Sequence, residues 1–147
     1  MLGKTAGGLL WMARYLERSE NTARLVGAGQ RIALTRSSEA TSEWESILTS
    51  AAVSDLYRQK YDSFDQDSAI DFMLRDRDNP SSVLSVVEAA RNNARTVRTA
   101  LTREVLEAVN ECWFAVRAGL ARKVPYREVP HVLDEIRKRS MMARGAM

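Results

Sequence analysis

The sequence carries a single cysteine, Cys112, and a single histidine, His131. One thiol excludes an intrachain disulfide and any metal site built on paired cysteines. One imidazole means that a Ser-His-Asp or Cys-His catalytic arrangement would have to be assembled around His131. The string Glu128-Val129-Pro130-His131 reads as Glu-x-x-His, but its internal proline spoils the helical spacing that carboxylate-bridged metal pairs use. No metal site and no cofactor are therefore expected. Long apolar runs are also missing. The N-terminal run ending in Leu9-Leu10-Trp11-Met12 meets Arg14 and Glu17 before it could form a signal-peptide core or span a bilayer. The expected setting is the cytoplasm, with no membrane partner. Charge of one sign is not concentrated either: 22 basic residues face 19 acidic ones, a net charge of +3, and the signs interleave along the chain. Phosphate-backbone binding uses clustered Lys and Arg, so no nucleic-acid partner is expected.

Three prolines and seven glycines leave room for long helices in 147 residues, enough for one domain with a single core. Leu9, Met12, Ala13, Leu16, Ala23, Gly27 and Leu34 recur at helical spacing, predicting a first helix from about Thr5, as its cap, to Arg36. Residues 37–41 form a polar break. Ser42-Glu43-Trp44-Glu45 then reads as a capping box opening a second helix with Trp44, Ile47, Leu48 and Ala51 inward. Short helices are expected over 54–61 and 66–74, joined by a loop at 61–65. Asn79 reads as a cap, and Pro80 suits the first turn of the next helix. From there Val83, Val86, Val87, Ala90, Ala94, Val97 and Leu101 make one seam. Thr102 opens a further helix with Val105, Ala108, Val109, Cys112, Val116 and Leu120 on its apolar side. Pro125 and Pro130 bracket a turn before a more charged helix over 132–142. No segment alternates with period two. The expected fold class is all-α, an antiparallel multi-helix bundle, with residues 1–147 as a single domain.

The charge on the first helix is oddly placed. At 100° per residue, Glu20 falls near the centre of the apolar stripe. Glu17 and Arg24 lie at its edge, Arg14 and Asn21 a little further round. Glu20 and Arg24 are spaced for an i,i+4 ion pair, and Glu17 can reach both Arg14 and Arg24. The polar cluster Arg14, Glu17, Arg18, Glu20, Asn21 and Arg24 is thus the first candidate binding region, with an ionic lock between packed helices and a surface charge network as the alternatives. A second polar set, Asn79, Arg91, Asn93, Arg95 and Arg98, belongs to the valine-seam helix. Its Arg91, Arg95 and Arg98 form a stripe opposite that seam, and Asn93 sits nearer the core. Cys112 reads as a small core residue.

The run Trp11-Met12-Ala13-Arg14-Tyr15-Leu16-Glu17-Arg18-Ser19-Glu20-Asn21-Thr22-Ala23-Arg24-Leu25 resembles the signature of the bacterial alpha-E family of helical domains with a Glu-Arg motif. Asp78-Asn79-Pro80-Ser81-Ser82-Val83, followed by Ala90-Arg91-Asn92-Asn93-Ala94-Arg95-Thr96-Val97-Arg98, is similar to its second motif. The resemblance covers most of the chain. It implies the N-terminal half of a longer bundle, with self-association through exposed seams. It also implies a non-catalytic helical partner of ATP-grasp-like or transglutaminase-like proteins in a peptide-ligation or protein-modification system. A peptide-acting enzyme or substrate-binding subunit using the Glu-Arg cluster, and a purely structural oligomerising domain, are the alternatives.

Overall fold

The structure is a computed structural model describing residues 2–35 and 40–147, without the side chains of residues 2, 4 and 40–42. Among the described residues seven α-helices follow in order: α1 (Leu2–Thr35), α2 (Ala40–Ser50), α3 (Ser54–Lys60), α4 (Gln66–Leu74), α5 (Val83–Thr96), α6 (Arg103–Gly119) and α7 (Val129–Ala146). Single 3₁₀ turns, Arg98–Ala100 and Tyr126–Glu128, precede α6 and α7, and no strand occurs among the described residues. This is the expected all-α bundle.

α1, roughly 50 Å long at 1.5 Å per residue, is the axis of the fold and packs along both α5 and α7. Its direction is opposite to both. Gly8 of α1 lies against Val97 at the end of α5, while Gly27 lies against Leu133 near the start of α7. α6 packs against α5 and α7, closing the long-helix layer, and the short helices α2 and α4 cover the other side of α1. The core is the sum of the predicted seams: Met12, Leu16, Ala23 and Val26 from α1 meet Val87, Ala90 and Ala94 of α5 and Val109, Cys112 and Val116 of α6.

Helix boundaries follow local chemistry where the cap is a short polar side chain. The Thr102 hydroxyl accepts from the Val105 N–H at 3.2 Å, as expected, and Asp65 caps α4 by accepting from Ser68 N–H at 3.0 Å. Other boundaries differ from the sequence reading. α1 is already helical at Leu2, so Thr5 is interior; Gly27 and Gly29 lie inside the helix, as the expected span to Arg36 requires. α2 is helical from Ala40, which places Ser42 within it. Glu45 reaches Arg58 of α3 at 3.1 Å instead of a cap. The polar break at 37–41 falls largely outside the described residues. The cap of α5 is Ser82, not Asn79: its hydroxyl accepts from Ser85 N–H at 3.2 Å. Asn79 is buried and serves as a tie, donating to the Phe72 carbonyl and accepting from Ser81 N–H, both at 3.0 Å. Leu34 is 74% exposed, since α1 outruns the layer beneath it. Pro130 lies in the first turn of α7, where its missing N–H breaks no bond.

α2 ends in a Schellman turn, with Val53 N–H on Leu48 O and Ala52 N–H on Thr49 O. Ala52 takes the left-handed position, φ 61°, that glycine usually fills. The cost is about 1–2 kcal/mol, and burial of Leu48 and Val53 beneath the turn offsets it.

Below the turn, Tyr57 stacks on Tyr61 and Phe64 and meets Phe72 edge-on. Its hydroxyl donates to the Ser63 carbonyl at 2.6 Å. Burial first, then the Asp65 charge, pushes its pKa from 10.0 up to about 12. The fold therefore favours the neutral phenol. Its contribution is complete below the unfolded value and is lost as pH rises through the folded one. Stability is expected to fall between about pH 10 and 12, by on the order of 2 kcal/mol for this group. Denaturant titrations of wild type and Tyr57→Phe across that range should converge at high pH. Parallel curves would mean that the hydroxyl is not held neutral.

Candidate functional site

The Glu-Arg region of α1 divides between interior and surface. Glu20 is 1% exposed, the most deeply placed ionisable side chain on the helix. Arg24, one turn on, reaches its Oε1 at 3.0 Å, and Arg144 near the end of α7 lies 3.1 Å from Oε2. The Arg24 contact is a hydrogen bond, whereas the Arg144 contact is an ion pair without hydrogen-bond alignment. Both guanidinium groups keep about half their surface in water. A carboxylate so desolvated needs such partners, because burial costs each ion several kcal/mol. Beside it, Ser19 donates to the Leu16 carbonyl at 2.8 Å and meets Ser140 of α7 at 2.6 Å. Ser140 in turn lies 4.0 Å from the Cys112 thiol of α6. Burial pushes that thiol up to about 11, so Cys112 is a packed core group, not a thiolate nucleophile.

Arg14, Glu17, Arg18 and Asn21 stay outside, on the surface of α1. Glu17 does not bridge Arg14 and Arg24. Arg24 is taken by Glu20, and the Arg14 guanidinium sits 5.6 Å from the Trp11 ring centroid as a cation–π contact. Neither Glu17 nor Arg18 forms an ion pair with any described residue. Trp11, at one end of this stripe, is 46% exposed. The four polar residues line an open hollow of about 400 Å³. Arg18 and Asn21 also form one wall of an adjoining cleft of about 260 Å³, closed by the Ala52 turn and by Asn79 and Ser81.

The second polar set is dispersed. Asn79 shares the cleft just described, but Arg91, Asn93, Arg95 and Arg98 line neither cavity. Arg91 lies over Phe114 of α6, 5.8 Å from its centroid, while Arg95 and Arg98 are exposed. Asn93 is half-buried, and the hydrogen bond it makes is through its backbone carbonyl, which accepts from Val97 N–H. Asp76 and Asp78, which precede α5, both engage Lys60, at 2.7 and 3.4 Å. Sequence reasoning missed Arg144, whose role depends on how α7 is laid against α1. It also missed Ser140, which continues the polar seam. His131 is exposed in the first turn of α7. No group of three or more metal-ligating side chains occurs among the described residues, and no described helix is long and apolar enough to cross a membrane.

An all-helical bundle with a Glu–Arg–Arg lock around a buried carboxylate and an open Glu-Arg surface on its central helix is the class that this geometry defines. The chain belongs to the Alpha-E family, described as "a predicted alpha-helical domain with a conserved ER motif", and the match spans residues 1–147. Glu17-Arg18 is the only Glu-Arg dipeptide in the sequence. Among curated proteins and solved structures, none matches the chain significantly.

Proposed function

We propose that this protein is a non-catalytic helical partner in a bacterial peptide-ligation or protein-modification system, docking on an ATP-grasp-like or transglutaminase-like protein. The surface it uses is the α1 stripe of Trp11, Arg14, Glu17, Arg18 and Asn21. One observation carries this reading: the Glu17-Arg18 dipeptide is exposed, and neither charge has an ion-pair partner among the described residues. A motif that served only the fold would be expected to have its charges matched internally, as Glu20 is. Half-exposed Trp11 adds a residue type that anchors protein interfaces, as arginine does. The association with those two protein classes comes from the family resemblance of the two motifs. The enzymatic alternative is weakened at Glu20, whose carboxylate is engaged by two guanidinium groups.

Exchanging the charges in a Glu17→Arg/Arg18→Glu variant leaves composition and net charge unchanged and touches no core residue. The expected result is at least a tenfold weaker complex with the ATP-grasp-like partner in a binding titration, with an unchanged far-UV circular dichroism spectrum. Equal affinity for variant and wild type would remove this surface from the interface.

A further inference from the structure

A further cavity lies on another face of α1, where its C-terminal half runs beside the start of α7. It is a groove of about 450 Å³, within the range of small-ligand sites. Its polar groups are unusually short of partners. Gln30 is 6% exposed and lines the groove, yet its carboxamide forms no hydrogen bond with any described residue. Its partners come through the groove: water in the free protein, which a ligand offering the same hydrogen bonds can replace. Arg31 and Arg127, on opposite walls, have no carboxylate partner among the described residues. Arg137 reaches only Asp134, at 4.0 Å, and its buried Nε has no hydrogen-bond partner. Asp134 is the sole acidic side chain lining the groove among the described residues, and Arg24 is committed to Glu20. The remaining lining is mostly apolar, with Gly27, Pro130 and Leu133 in it, beside the phenol of Tyr126.

We propose that this groove binds the C-terminal end of a peptide. The Arg31 and Arg127 guanidinium groups take the terminal carboxylate, Gln30 pairs with a backbone amide, and Pro130 and Leu133 receive an aliphatic side chain. Guanidinium groups accept phosphate as readily as carboxylate; the other two features decide. A glutamine carboxamide offers one donor edge and one acceptor, which complement a peptide group, whereas a phosphate presents mainly acceptors. Apolar walls match an aliphatic side chain and leave a phosphate without contacts. The proposal is independent of the Glu17–Arg18 surface.

Acetyl-Ala-Ala-Leu with a free carboxylate, and the same peptide as its C-terminal amide, are the probes, titrated into the protein and followed by NMR or calorimetry. The acid is expected to bind at least tenfold tighter than the amide. Arg31→Gln/Arg127→Gln, which alters only exposed side chains, should abolish that preference and leave the amide unaffected. Gln30→Leu should weaken both peptides, and Glu17→Arg/Arg18→Glu should change neither. Equal binding of acid and amide, absence of binding, or displacement of the acid by an equal concentration of inorganic phosphate would overturn the assignment.

Discussion

An Arg24→Ala/Arg144→Ala variant is expected to lose about 3–5 kcal/mol of stability, because it leaves the Glu20 carboxylate buried without a counter-charge. For a chain of this size that is a fall in Tm of at least roughly 10 °C. The reverse deletion should be milder. Glu20 is 1% exposed, whereas the Arg24 and Arg144 side chains are 51% and 40% exposed. Without Glu20 both cations turn to water at little cost. Glu20→Gln is therefore expected to lose only about 1.5–3 kcal/mol, the worth of hydrogen bonds to a charged group. Glu20→Met, of similar volume and apolar, should lie close to wild type, as other buried ion pairs replaced by hydrophobic residues do. Urea unfolding with unchanged m-values would rank the three variants. If Glu20→Met proved more damaging than the double arginine variant, the lock would not be limited by desolvation of the carboxylate.

The contact between Gly29 and Trp44 should show the other large effect. Trp44 is fully buried under α1, and a Cβ at Gly29 would stand 2.6 Å from its Cη2 and 2.7 Å from its Cζ3. The indole is wedged against a rigid helix backbone and cannot move aside without disturbing α2. Trp44→Ala is expected to cost about 3–5 kcal/mol, as large-to-small changes of this size do. Gly29→Ala gains about 1 kcal/mol of helix propensity but meets a steric cost of about 1–3 kcal/mol, so a net loss is expected. In the Trp44→Ala background the same change should turn favourable, because the new methyl enters the vacated space. A coupling of at least about 1 kcal/mol in the double-mutant cycle would record this. Gly7, with nothing within 4 Å of its Cβ position, is the control: Gly7→Ala should raise stability. Identical responses at Gly7 and Gly29 would show that propensity alone is at work.

Both variants probe how far the helix pattern carried. The apolar spacing of α1 placed Glu20 among the core residues, and it is buried beside Met12, Leu16 and Ala23. The valine seam of α5 and the Val105-to-Leu120 seam of α6 are buried nearly throughout, and the 66–74 segment is α4 to the residue. Misreadings concentrate at helix starts. Ser42 and Asn79 have the chemistry of caps, but so do many polar residues within a few positions of a boundary. Which one is used depends on where packing stops the helix. Asn79 was drawn instead into a tie between the end of α4 and the start of α5.

The sequence by itself determined the presence and order of the main helices, most of the face each buries, and the Glu20–Arg24 pair, because a 3.6-residue pitch makes i,i+3 and i,i+4 neighbours a local property. Tertiary structure decided which remote side chains complete those faces. Arg144 closes the lock from the end of α7, Glu17 and Arg18 are left without ion-pair partners among the described residues, and Gln30, Arg31 and Arg127 line one groove. These outcomes depend on the register and direction in which α1 and α7 pack, and no spacing within either helix encodes that register.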